Sequence, residues 1–303
     1  MINMRSVKLL INRWKTAGTS VAVLLILRAL VPAPVWPQEL PDPQLDEEIA
    51  KQGKIFQRRG ADVPSGYITN RGLSDYADLL PTGFCHALGR LGSSDRWLDI
   101  GAGAAQAILD YYAPAGNAAP AEKCAQSVGK ARAVAMSIED RRTDKWREQA
   151  ANFGDDRIRY LTGKSLRHYS VEELGKFQII TDVFGGFTYT ADLSRFVDKV
   201  LSLLDVGGVF YTLVPGVHLE DGDKLGTWYL TELENAAGRP EKVCSWLKKT
   251  TCVKVTCESK SDWKRPTELI KIEKACSDVS VPRMKLLEFV AGYPPDRRFQ
   301  LEP

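Results

Sequence analysis

Only three histidines occur in the 303 residues, His86, His168 and His218, and they lie apart from the cluster of four cysteines near the C-terminus. No C-x-x-C is present either, so no metal site is expected. Residues 1–38 contain no acid but carry Arg5, Lys8, Arg13, Lys15 and Arg28, which leaves 36 basic against 38 acidic residues in the rest. The formal charge of +3 therefore belongs to that segment, and the mildly acidic body gives no electrostatic case for nucleic acid. The apolar run AGTSVAVLLIL, Ala17–Leu27, is too short to span a bilayer. There is no internal repeat, and no low-complexity tract beyond a proline-rich stretch.

What is present at the N-terminus has the layout of a targeting segment: a basic region to Thr16, the apolar run, then prolines. If Arg28 is tolerated, the run extends to Val35 and membrane contact through residues 17–35 becomes an alternative to cleavage, although a charge inside the bilayer costs about 2.5 kcal/mol or more. Export or anchoring is expected, with a cytoplasmic location as the alternative. PAPVWPQELPDPQ, Pro32–Gln44, reads as an extended linker, because proline lacks an amide donor and restricts its predecessor. The expected organisation is a leader over 1–38, a linker and helical cap over 39–95, a main domain over 96–276 and a tail over 277–303. The cap contains the helical patterns Asp46–Arg59 and Leu73–Leu91, the latter interrupted at Pro81. An even cysteine count fits an exported protein with disulfides, and Cys244, Cys252, Cys257 and Cys276 allow three pairings among themselves.

RWLDIGAGAAQAILDYY, Arg96–Tyr112, reads as strand, glycine turn and helix. Gly101 and Gly103 permit a tight turn that lets backbone approach a ligand, and the unpaired amides of the following helix start suit a polar or anionic group. A dinucleotide fingerprint would need a third glycine where Gln106 stands, which disfavours a nicotinamide oxidoreductase. Asp99-x-Gly101-x-Gly103 instead resembles the first motif of class I S-adenosylmethionine-dependent methyltransferases. A second unit supports the resemblance: Gln178–Thr181 as a buried strand ending in Asp182, a helix starting at Asp192, the turn Asp205-Val-Gly-Gly and a strand over Val209–Val214. The implied fold is α/β, a Rossmann-like methyltransferase sheet of about seven strands, mostly parallel with an antiparallel C-terminal pair and helices on both faces.

The resemblance implies S-adenosylmethionine as cofactor, with Asp99, Gly101, Ala102 and Gly103 around its methionine portion. An acid ending the second strand, Lys130–Ile138, receives the ribose hydroxyls; Glu139 is the candidate and Asp140 its neighbour. After the third strand, Arg157–Leu161, the family's adenine-contacting acid is missing from TGKSLRHYS, so Ser165 is the candidate oxygen and Lys164 an unexpected cation. His168 is either a base or an exposed polar residue. Asp182, at the carboxyl end of a central strand, is the candidate catalytic residue and a further cofactor contact. Methyl transfer by in-line displacement needs alignment more than a base. Phe184, Phe187 and Tyr189 either wall the acceptor or pack internally, and Tyr67, Tyr76 and His86 either line an acceptor pocket or merely cover the sheet. Leu225–Ala237 and Lys242–Lys249 read as helices, Thr251–Cys257 as a strand, and Leu269–Ile272 as the start of the last strand. The implied activity is methyl transfer to a small-molecule or peptide-like acceptor. A noncatalytic methyltransferase-like binding module, exported or membrane-anchored, is the alternative.

Overall fold

The computed structural model describes residues 70–113, 124, 129–154, 156–221, 224–260, 266–290 and 295–303, with 217–221 and 224–228 as backbone only. The predicted leader, the helix Asp46–Arg59 and Tyr67 lie outside the described residues.

Apolar runs become strands that lie side by side. They are Arg96–Ile100 (β1), Arg132–Met136 (β2), Ile158–Leu161 (β3), Phe177–Asp182 (β4) and Leu204–Asp221 (β5). With Val253–Lys260 (β9) and Thr267–Lys274 (β10) they make a sheet ordered β3-β2-β1-β4-β5-β10-β9. The first five strands run parallel. β10 is antiparallel to both β5 and β9, so the expected sheet is present. The strand order turns back beside β1, between β1 and β4, where open α/β sheets place ligands beyond the carboxyl ends.

Helices cover both faces because central parallel strands are apolar on both sides. On one face Leu193–Leu203 buries Phe196, Val197, Val200 and Leu201 against Leu98, Ile180 and Phe210. Asp192 caps that helix by accepting the Arg195 amide at 3.0 Å, as its sequence position predicts. Buried Lys274 closes the other end, donating to the carbonyls of Leu201 at 2.8 Å and Leu204 at 2.9 Å. On the opposite face Leu73–Leu79, Phe84–Gly89, Gln106–Tyr112 and Asp144–Ala151 pack on Trp97, Ile179, Tyr211 and Leu269.

Three expectations are corrected. Leu225–Ala237 is not helical: it holds Lys224–Tyr229 (β6), paired to β5, and Thr231–Glu234 (β7). The β-branched and aromatic residues Thr227, Trp228, Tyr229 and Thr231 suit a pleated ribbon better than a helix. β10 is not the last strand, since Met284–Val290 (β11) and Asp296–Leu301 (β12) follow. With β7 and Pro240–Glu241 (β8) they form a second sheet ordered β11-β12-β7-β8, in which β12 buries Arg297 and Phe299. Finally, Asp205-Val-Gly-Gly is not a separate turn but the kinked start of β5, with Gly207 at φ +83° and a register shift against β4.

All six cysteines are paired: Cys85–Cys124, Cys244–Cys257 and Cys252–Cys276. The last two stitch the helix Val243–Leu247, β9 and the end of β10 together.

Candidate functional site

The glycine turn leaves β1 at its carboxyl end, where Ile100 pairs with Met136 on one side and Asp182 on the other. Gly101 has φ +73° and Gly103 φ +56°, the left-handed region that favours glycine. The Ala102 amide donates to the Met136 carbonyl at 2.9 Å, tying the turn to β2. Gly101 is exposed, Gly103 and Ala104 are half-buried, and the amides of Gly103 and Ala104 meet no acceptor among the described residues.

Tyr160 on β3 joins this turn to the tip of β2. Its hydroxyl donates to the Gly103 carbonyl, stands 3.5 Å from the Glu139 carbonyl and accepts the Arg141 amide at 3.4 Å. Trp146 meets the Tyr160 ring edge-on with centroids 5.6 Å apart, and the Arg142 guanidinium lies 4.5 Å over it. Asp140 holds Arg142 through bonds of 2.9 and 2.8 Å, which keep the Asp140 carboxyl well below the usual carboxylate range. Asp140 is therefore engaged locally. Glu139 stands half-buried beside the turn with its carboxylate on Arg141.

Asp99 points the other way. Its carboxylate is fully buried beneath the turn, accepting the Tyr76 hydroxyl at 3.0 and 2.8 Å and the Thr181 hydroxyl at 2.7 Å. Trp97 Nε1 donates to the same threonine at 2.8 Å, completing a buried network. Burial pushes the Asp99 carboxyl up to about 7, against the pull of the Thr181 and Tyr76 hydrogen bonds. Asp182 faces the opposite side of the sheet and is also fully buried. It accepts the Gly185 and Phe187 amides, both at 2.9 Å, and so shapes the loop into the helix Gly186–Tyr189. Burial lifts it to about 7 as well, the two amides opposing.

The fold thus brings Gly101, Ala102, Gly103 and Glu139 together on one rim and sets Asp99 and Asp182 under it. Ser165 follows β3, with its hydroxyl 3.0 Å from Nδ1 of the exposed His168. Phe187 packs in the core on Phe196 and Phe210, while Phe184, at φ +56°, lies under the Arg71 guanidinium at 4.8 Å. Tyr76 is core and His86 is exposed. Sequence reasoning missed Tyr160, Thr181 and Gly185. The alternation in RIRYL separates Tyr160 from Arg159, but nothing in it aims the phenol at Gly103. No group of three or more His, Cys, Asp or Glu suited to a metal is found among the described residues.

The raised carboxyls have a measurable consequence. In the folded chain Asp99 and Asp182 hold protons to about pH 7, whereas unfolded they release them near 3.8. Their contribution to stability is complete below pH 3.8 and is lost as pH rises through 7. Urea denaturation at pH 5 and pH 8 is expected to differ by on the order of 5 kcal/mol in favour of pH 5, about half from each carboxyl. Asp99→Asn should remove about half of that difference, Asp182 keeping the rest, and an unchanged slope would mean Asp99 is ionised throughout.

No family model and no curated protein matches the chain. Among solved structures it is similar to the O-methyltransferase TomG of Streptomyces achromogenes, at 14% identity over 84% of this chain and 96% of that one, TM-score 0.41. Phosphoethanolamine N-methyltransferase 2 of Haemonchus contortus shares 11% identity over 80% of this chain and 62% of that one, TM-score 0.44. An rRNA methylase of Streptococcus thermophilus shares 12% over 63% and 94%, TM-score 0.40. By the order and direction of its own strands, with five parallel and an antiparallel pair closing the edge, the chain has the Rossmann-like fold of class I methyltransferases.

Proposed function

We propose that the chain binds S-adenosylmethionine at the glycine rim and transfers its methyl group to a small-molecule or peptide-like acceptor. The observation that carries this reading is the turn Gly101–Gly103, exposed at Gly101, with the Gly103 and Ala104 amides meeting no acceptor among the described residues, beside Glu139 at the carboxyl edge of the sheet. Those residues fit the group: glycines allow close backbone approach, and a carboxylate offers paired acceptors to vicinal hydroxyls. The cofactor supplies an activated methyl on a sulfonium. Gly103 and Ala104 would donate amides to it, Glu139 would hold the ribose hydroxyls in place of Arg141, and Ser165 would offer a hydroxyl after β3. Asp99 supports the turn from beneath, and Asp182 holds the loop that faces the acceptor. Neither needs to move a proton, because alignment supplies most of the acceleration in an in-line displacement.

One observation favours a second reading, a binding module without catalysis. Both conspicuous carboxylates are already satisfied by Tyr76, Thr181, Gly185 and Phe187. Export or anchoring belongs with either reading. The three disulfides support folding in an oxidising compartment, and no helix among the described residues is long and apolar enough to cross a membrane.

Calorimetric titration of the full chain with S-adenosylmethionine and its demethylated product tests the proposal. Micromolar binding is expected. Glu139→Gln should weaken it about tenfold, the share of one charge-assisted hydrogen bond, while leaving the melting temperature in place. Absence of binding by oxidised and reduced protein alike would sink the cofactor reading and leave the second.

A further inference from the structure

The edge of the sheet opposite the glycine turn carries a row of arginines. Arg96 and Arg132 are register partners at the starts of β1 and β2. Arg159 pairs with Val134, two residues beyond Arg132, so the pleat puts all three on the face of Leu98 and Val134. Neighbouring strands are about 4.8 Å apart, which crowds like charges that repel across a ladder. The side chains of Arg132 and Arg159 are exposed and make no ion pair or hydrogen bond among the described residues. Arg96 is held in place, its guanidinium 4.4 Å from the Phe177 ring centroid and donating to the Lys176 carbonyl at 3.3 Å.

Three nearby acids accept from other donors, and none forms an ion pair with the row among the described residues. Asp95 accepts the Gly92 amide at 2.7 Å, Asp205 the Gln178 amide group at 2.6 Å, and Glu173 the Ser170 amide at 2.6 Å. Burial, then Arg132 and Arg159, draw the Arg96 guanidinium down from its ordinary range, with Asp205 opposing, as expected of cations within each other's field.

We propose that Arg96, Arg132 and Arg159 form a site for a phosphate-type oxyanion, carried by a free phosphate compound or by a lipid headgroup. Guanidinium forks match tetrahedral oxyanions, and one such ligand bridging the row relieves the repulsion within it. The site is independent of methyl transfer and faces away from the glycine rim. Whole-chain charge hides it, because the three residues come from strands far apart in sequence.

The test uses the full chain at low ionic strength. One arm is calorimetric titration with inorganic phosphate and pyrophosphate. The other is cosedimentation with phosphatidylcholine vesicles made with or without phosphatidylglycerol. The control is Arg132→Gln/Arg159→Gln, two exposed positions whose exchange leaves the core untouched. Saturable pyrophosphate binding that weakens about tenfold in the double variant supports the site with a free phosphate compound as its ligand. Sedimentation with anionic but not neutral vesicles, reduced likewise in the variant, supports it with a lipid headgroup. Failure of both arms, or binding that the double variant retains in full, overturns it.

Discussion

Reduction of the three disulfides is expected to lower the free energy of unfolding by roughly 6–10 kcal/mol, a loss comparable to the whole stability of an ordinary domain. The bridges close segments of 13, 24 and 39 residues. Loop-closure entropy removed from the unfolded chain is worth about 3–4 kcal/mol for each at these lengths. Cys244–Cys257 and Cys252–Cys276 overlap in sequence, so their effects add incompletely. Cys252 also sits at φ +58°, a left-handed conformation that a non-glycine residue keeps only when its surroundings hold it. Thermal melts with and without a phosphine reductant should differ by on the order of 15 °C. Cys252→Ser/Cys276→Ser alone should account for about a third of the shift. Equal melts, or free thiols in the untreated protein, would show that the cysteines are ordinary reduced residues.

Gly185→Ala is expected to cost about 3 kcal/mol, at the upper end of overpacking losses, and to abolish ligand binding at the glycine rim. A Cβ there would stand 2.3 Å from the Ile100 carbonyl oxygen and 3.0 Å from the Gly101 Cα. These are backbone atoms of a strand pinned by β2 on one side and β4 on the other, so no side chain can swing aside. Gly101→Ala meets the reciprocal obstacle, 2.3 Å from the Gly185 Cα, and adds a left-handed φ of +73°. Gly207→Ala separates the two causes: φ is +83° but nothing lies within 4 Å of the new carbon. It should lose only the conformational share, about 1–2 kcal/mol. Urea denaturation of the three variants measures this directly. Equal losses at all three positions would mean that backbone contact between Gly101 and Gly185 is unimportant.

Much of the site's skeleton was legible because its signals are local. WLDI followed by two glycines and an alanine-rich helix specifies strand, turn and helix within a span of sequence. The helix from Asp192 declares its cap and its apolar face in the same way. The position of Glu139 just past the second strand was legible too, three residues after the end of β2. The roles of the acids were not legible. Asp99 and Asp182 both end central strands whose two faces are apolar, so hydropathy does not say which face each carboxylate takes. Pairing decides it: Thr181 and Tyr76 receive Asp99 on one side, while Gly185 and Phe187 meet Asp182 on the other. The second sheet was missed for a related reason. β7 has four residues, too few for periodicity to separate strand from helix, and its partner β12 begins 65 residues later. Arg297 shows the outcome: buried on β12, it donates to the Thr190 carbonyl at 2.7 Å and to the Thr231 hydroxyl at 2.6 Å, joining the C-terminus to the loop after β4.

By itself the sequence determined that β1 ends in a glycine turn feeding a helix, that a second such unit follows, and that six cysteines can pair. Each is set by spacing within some twenty residues or by parity. Only the tertiary structure decided that Asp99 hides beneath the turn, that Tyr160 binds the turn to Glu139, and that three arginines share one edge. Those facts depend on register between strands drawn from distant parts of the chain, where a shift of one residue turns every side chain to the other face.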